Sequence, residues 1–210
     1  MQANPQSEPQ STEERILEAA VQEFMTKGYA GARTTAIAEA AGVTHAMLHY
    51  YFRTKDKLFD RIIESKIATL RDIMLASLGD PTIPLFDKIK STIETHQDFI
   101  AANPELPRFM INEVLNRPDR MPKVIERLKH HTPLVVQSLQ RQIDEYADRG
   151  QCRRVDAGML MLDIASLNIF PFSATPMVNA LLGGMMEDPQ AFIEARKKEN
   201  IETIMRKLKP

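Results

Sequence analysis

The chain has 210 residues, 43% hydrophobic and 26% charged, with a formal net charge of -1. That length buries a sizeable core in one domain or two, and the near-neutral balance excludes a function that rests on a global electrostatic pull toward nucleic acid or membrane. A single cysteine, Cys152, excludes an intrachain disulfide and points to a reducing compartment.

Residues 1–10, MQANPQSEPQ, are polar and rich in Pro and Gln, and they lack the basic start and apolar stretch of a secretion signal. A disordered tail is expected there. Ser11 and Glu14 have the spacing of a capping box, so a first helix starts at this point. Ile16, Leu17, Ala20, Val21 and Phe24 repeat at helical spacing until Gly28, which is expected to end it. A short second helix follows from Thr34 to Ala41, with Ile37, Ala38 and Ala41 inward, and Gly42 ends it at a corner where only a very small residue is expected to pack. Thr44 is placed to cap a third helix ending near Phe52, and Thr54 to cap a long fourth helix carrying Leu58, Ile62, Ile63, Ile67, Leu70 and Met74.

Beyond Asp80-Pro81, Pro and Gly marks separate apolar runs that keep helical spacing, and none alternates with period two. The chain therefore reads as all-α, with about nine to eleven helices. Its most apolar segment, Gly158 to Phe172, is interrupted by Asp163, Asn168 and Pro171. It falls short of the roughly 18 to 20 clean apolar residues that cross a bilayer, so no membrane partner and a cytoplasmic location are expected. From Val155 to Phe170 this helix is apolar almost all round and needs cover on more than one side. Pro171 is expected to kink or end it, and Gly183-Gly184 to end the next helix.

Two short helices joined by a glycine turn, after a longer one, have the outline of a helix-turn-helix DNA reader. At 100° per residue, Thr44, Leu48, Tyr51 and Phe52 fall on one side of the third helix, and His45, Ala46, His49 and Tyr50 on the other. On that second side His49 and Tyr50 can hydrogen-bond phosphate oxygens, His45 can meet a base edge, and small Ala46 permits close approach. Arg53, Lys55 and Lys57 follow and can clamp phosphates. The four-residue spacing of His45 and His49 also suits a metal, but Ala46 stands where a zinc peptidase motif has glutamate and no nearby Cys or Asp completes a site. No metal and no cofactor are expected. Adjacent His130 and His131 diverge on a helix, and Cys152 makes a poor reactive thiol because no helix start adjoins it, although Arg153 and Arg154 favour its thiolate.

The pattern Thr-Thr-x-Ile-Ala-x-x-Ala-Gly-Val-x-x-x-x-Leu-x-Tyr-x-Phe-x-x-Lys-x-x-Leu, read here from Thr34 to Leu58, resembles the DNA-binding region of TetR-family transcriptional repressors. Ile16-Leu17-x-Ala19-Ala20-x-x-x-Phe24-x-x-x-Gly28-Tyr29 is similar to that family's first helix. The resemblance implies a disordered tail (1–10), a three-helix DNA-binding head (11–57) and a larger helical ligand-binding and dimerisation domain (58–210), entered through the long fourth helix. It implies a homodimer on a palindromic double-stranded operator, released by a small-molecule effector. Carried over by position, the DNA contacts are Arg33, Thr34 and Thr35, then Thr44, His45, Ala46, Met47, His49 and Tyr50, then Lys55. His49 stands where tyrosine is common in the family, and Thr35 where a longer, often basic side chain is frequent.

Residues 1–65 hold seven Lys and Arg against nine Asp and Glu, so DNA binding must rest on where charges are placed. In the larger domain, periodicity and the resemblance together nominate His96, Phe99, Phe109, Met110, Glu113, Asn168 and Phe172 as pocket lining, an apolar set with a few polar groups. The alternative is an all-α enzyme or small-molecule carrier in which the short helices are only structural. No paired-carboxylate, nucleophile-base or phosphate-loop pattern supports an enzyme.

Overall fold

The computed structural model describes residues 10–129 and 132–210. The tail up to residue 9 and the His130-His131 pair lie outside the described residues. In chain order the elements are α1 (Thr12–Gly31), α2 (Thr34–Ala40), α3 (His45–Phe52), α4 (Lys55–Leu78), α5 (Leu85–Ala101), α6 (Leu106–Met110), a π-helical segment (Ile111–Leu115), α7 (Met121–Leu128), α8 (Thr132–Asp148), α9 (Ala157–Ser173), α10 (Thr175–Leu181) and α11 (Pro189–Leu208). The protein is all-helical among the described residues, with eleven α-helices and that one π-helical segment.

The chain forms two compact units that divide within α4, after Lys66. The bounds implied by the resemblance place the division after residue 57, in the first turn of α4. Leu58, Phe59, Ile62 and Ile63 are buried, and Phe59 meets Phe24 of α1 edge-on at 5.3 Å. The first turns of α4 thus belong to the core of the first unit.

In that unit the capping box is complete: the Glu14 amide donates to Ser11 Oγ at 3.2 Å, and the Ser11 amide to Glu14 Oε2 at 2.8 Å. Ile16, Ala20 and Phe24 are fully buried along one face of α1; burying each of the two large side chains contributes about 1.5–3 kcal/mol. Gly28 ends the first regular stretch of α1 at a kink, as expected. Its φ of 67° and ψ of 173° fall in a region open essentially to glycine alone, and helical hydrogen bonding resumes to Gly31. At Gly42 the expected reason needs correcting: a Cβ there meets only Arg15 Nη1 at 3.7 Å, an ordinary contact, so space is not limiting. The requirement is the left-handed φ of 64° that turns α2 into α3.

In the second unit, Leu85, Ile89 and Ile93 of α5 pack with Leu139 and Ile143 of α8, Leu160 and Ile164 of α9, and Ile204 and Leu208 of α11. Asp156 caps α9 by accepting from the Met159 amide at 2.7 Å. Pro171 neither stops the helix nor leaves a carbonyl stranded. A proline at 171 cannot donate to Leu167 O; the Arg196 guanidinium of α11 does so instead, at 3.3 Å, and α9 runs on to Ser173 before the chain bends by 78° into α10. Gly183 and Gly184 follow α10 closely, as expected. Among the described residues no single helix is long and apolar enough to cross a membrane. Cys152 is buried with its thiol against Ile143 O, and burial pushes its pKa up against the smaller opposing effect of Arg154.

Candidate nucleic-acid interface

Thr44 starts α3 by accepting from the Met47 amide at 3.1 Å. Leu48 and Phe52, one helical turn apart, are buried and anchor the helix. Everything else on α3 faces outward: His45, Ala46, Met47, His49 and Tyr50 are exposed, Tyr50 at 81%. Tyr51 corrects the helical-wheel expectation, because it is 41% exposed rather than inward. Two anchors four residues apart hold a narrow stripe, and position 51 falls on its flank. Sequence reasoning therefore omitted an accessible phenol next to Tyr50, whose ring it meets edge-on at 5.5 Å.

The two imidazoles are held rather than loose. Their rings meet edge to face with centroids 4.4 Å apart. His45 Nε2 lies 3.0 Å from Thr34 Oγ1, tying α3 to the start of α2. His49 Nδ1 lies 2.9 Å from Arg53 O, and since a carbonyl only accepts, Nδ1 carries the proton and leaves Nε2 of the neutral ring as an acceptor. Arg53 makes this contact from an unusual backbone position, φ 56° and ψ -47°. The Thr54 amide donates to Phe52 O across it at 2.5 Å, which makes residues 52–54 a γ-turn of the rare, strained hand. Such strain persists where surrounding structure fixes it, commonly at functional sites.

Thr54 Oγ1 then caps α4 through the Lys57 amide at 3.2 Å. Lys55 is half-buried: its ammonium donates to Ala32 O at 2.6 Å and sits 4.6 Å from the centre of the Tyr29 ring. One of its three donors is thereby committed to holding the end of α1. Tyr29 in turn donates to Asp56 at 2.7 Å. Glu23 accepts from the Arg33 amide at 3.1 Å and pairs with Lys27; the Lys27 ammonium, helped by that amide, holds its carboxyl below the usual range. This fixes the backbone where α2 begins. Of the ten residues nominated for DNA, Arg33, Thr35, Thr44, His45, Ala46, Met47, His49 and Tyr50 are exposed, and Thr34 and Lys55 are half-buried.

The seven residues nominated for a ligand pocket are arranged differently. His96 and Asn168 do come together, but as members of a buried hydrogen-bond network. Asn168 Nδ2 donates to His96 Nδ1 at 3.1 Å and to Ile93 O at 3.2 Å, and Asn200 Nδ2 donates to Asn168 Oδ1 at 2.8 Å. Burial pushes the His96 pKa down to about 4, in keeping with a neutral ring that accepts through Nδ1. Phe99, Phe109 and Phe172 are buried, and Phe172 meets Phe192 edge-on. Met110 is half-buried, and Glu113, also half-buried, pairs with Arg120 at 3.3 Å.

Comparison with known proteins bears on both units. The family described as bacterial regulatory proteins, tetR family, matches residues 16–62, and the tetracyclin repressor-like C-terminal domain matches residues 86–204. An HTH-type transcriptional repressor of Streptomyces coelicolor is 34% identical over 125 residues, which are 59% of this chain and 61% of the repressor. The HTH-type transcriptional regulator RutR of Escherichia coli is 25% identical over 196 residues, 90% of this chain and 86% of RutR. Among solved structures, PfmR of Thermus thermophilus superposes with a TM-score of 0.65 at 18% identity, over 96% of this chain and all of PfmR. FadR of Bacillus subtilis, solved with stearoyl-CoA, gives a TM-score of 0.64 at 16% identity, over 92% of this chain and 97% of FadR. With the reading helices and most of the second unit both matched, the chain belongs to the tetR family of bacterial transcriptional regulators.

Proposed function

We propose that the protein is a ligand-responsive repressor that binds a palindromic operator as a cytoplasmic homodimer and leaves it when a small molecule binds the second unit. The observation that carries this reading is α3: a two-turn helix anchored by Leu48 and Phe52 that presents His45, Ala46, Met47, His49 and Tyr50 together. A helix of that size fits the major groove. In this reading Arg33, Thr34, Thr35 and Thr44 contact the duplex around it, Arg53 and Lys57 meet phosphates, and Tyr51 joins Tyr50. Lys55 holds the base of the interface through Ala32 O and offers its remaining donors to a phosphate. His49, as an acceptor at Nε2, suits a base-edge amino group, such as that of adenine or cytosine.

The repressor sense is supported by the Streptomyces relative, which is a transcriptional repressor, and the ligand response by FadR, which was solved with a bound acyl-CoA. A dimer is supported by α9. Its inner face buries Leu160, Ile164 and Asn168, while Met159, Leu162 and Phe170 remain more than half exposed on the other, an apolar stripe suited to a two-fold partner. An all-α carrier or enzyme would need none of the side chains displayed on α3. Selecting bound duplexes from a random pool, and footprinting the DNA upstream of the protein's own reading frame, tests the reading. It predicts a protected inverted repeat; failure to enrich any sequence contradicts it. Light scattering should give about twice 23.9 kDa, the chain mass.

A further inference from the structure

Within the second unit a cavity of about 170 Å³ lies among α4, α7, α8 and α9. Leu70, Met74 and Leu75 of α4, Leu128 of α7, Val135 of α8 and Met161 of α9 form its wall. Among the described lining residues the only polar side chains are Thr132 and Arg71. In the adjoining core Leu85, Ile89 and Ile143 are fully buried, whereas Leu70, Met74, Leu75, Leu128 and Met161 keep part of their surface open. Protein interiors close-pack, so this half-open, carbon-lined recess, whose wall stays partly exposed while the adjoining core is filled, is shaped to take a small apolar occupant. An apolar cavity of about 150 Å³ holds benzene.

We propose that this cavity binds a compact, carbon-rich molecule about the size of one aromatic ring, with a single acceptor or anionic group turned toward Thr132 and Arg71. The inference rests on the ligand-responsive reading above and adds to it the chemical class of the ligand. Two methionines in the wall supply a soft, adaptable surface for a ring. The Arg71 guanidinium now pairs with its neighbour Asp72, at 2.8 Å from Nη2 and 2.9 Å from Nε. Such an exposed pair holds weakly, so a ligand carboxylate can take its place. A long acyl chain does not fit the volume. Of the lining read from sequence, His96 and Asn168 hydrogen-bond each other and Glu113 pairs with Arg120. Four of the lining residues lie on α4, the unbroken helix whose first residue, Lys55, follows the turn that ends α3. Filling the cavity therefore bears on the helix that continues from the reading helix.

Titration calorimetry on the full chain, with phenol, benzoate and decanoate as probes, tests this. Phenol and benzoate should bind in the micromolar to millimolar range, and decanoate about tenfold more weakly or not at all. Met161→Phe should weaken both ring compounds about tenfold by filling the cavity, and Arg71→Gln should weaken benzoate while leaving phenol nearly unchanged. If Met161→Phe does not fold, Leu128→Phe fills the same space. The proposal is overturned if neither ring compound binds, if the filled variants bind them as well as wild type, or if decanoate binds equally. Operator affinity is read separately by anisotropy. Ring binding that the filled variants abolish, with no change in operator affinity, upholds the ligand class and contradicts effector control.

Discussion

The two units sort polar and apolar side chains in opposite ways. In the first, every residue buried among those described is apolar, and the large apolar side chains left exposed, Met47, Tyr50 and Tyr51, all stand on α3. In the second, Ser77, Lys88, Thr92, His96, Gln97, Asn168 and Asn200 are buried, while Met159, Leu162, Phe170, Leu181 and Leu182 lie open. The Lys88 ammonium finds no hydrogen-bond partner among the described residues, and burial pushes its pKa down against the pull of Asp80. A reading head needs a rigid apolar centre and one functional surface. The second unit carries specific polar contacts inside and open apolar faces outside, at a cost in stability, and the proposed pairing with a second copy and response to a ligand would use both.

The sharpest way to break that contrast is acid. His96 titrates at about 4 when folded against an ordinary 6.5, so between those values the unfolded chain holds more protons. Its contribution is fully present above pH 6.5 and is lost as pH falls toward 4, and it amounts to about 3 kcal/mol at most. Urea unfolding across that range should show the loss in wild type and a flatter profile in His96→Gln; equal slopes would remove His96 as the source. Next in size, Leu162→Glu should place a charge in the exposed α9 stripe, halve the mass in light scattering and lower operator affinity about a hundredfold, because two linked half-site contacts become one. A Leu162→Glu protein that stays dimeric contradicts the assignment of this face. Asn168→Ala should cost about 2 kcal/mol, since it strands the buried His96 Nδ1 and leaves Asn200 Nδ2 only its 3.4 Å bond to Gln97 Oε1. Smallest is Arg53→Gly, which relieves a positive φ and should raise thermal stability by about 1 kcal/mol while weakening DNA binding, because Arg53 no longer faces a phosphate. Unchanged stability would mean that the γ-turn stores no strain.

The same contrast governs how much was legible in the sequence. In the first unit the signals are local. Ser11 with Glu14, Thr44, Gly42 and Thr54 each act within about four residues of their partners, and the stripe on α3 follows from helical spacing alone. What spacing missed is also instructive. Tyr51 lies on the flank of a stripe held by only two anchors, and the Thr34–His45 bond and the γ-turn at Arg53 depend on backbone positions that residue type does not announce. In the second unit periodicity located α9 and its need for cover on more than one side. It could not see that Asn168 answers His96 and Asn200, partners 72 and 32 residues away. Nor could it see that Arg196 takes the carbonyl freed by Pro171, or that a recess opens beside Leu70 and Met161. Pairings between distant helices leave no mark in a local pattern.

The central claim is that the outward face of α3 grips duplex DNA. Anisotropy of a labelled duplex carrying the selected repeat, measured against salt for wild type and Tyr50→Ala, tests it most directly. With about three phosphate contacts per protomer, log affinity should fall against log salt with a slope of about -5, and Tyr50→Ala should lower affinity about tenfold at every salt concentration. Binding that is independent of salt, or unchanged by Tyr50→Ala, would contradict the account.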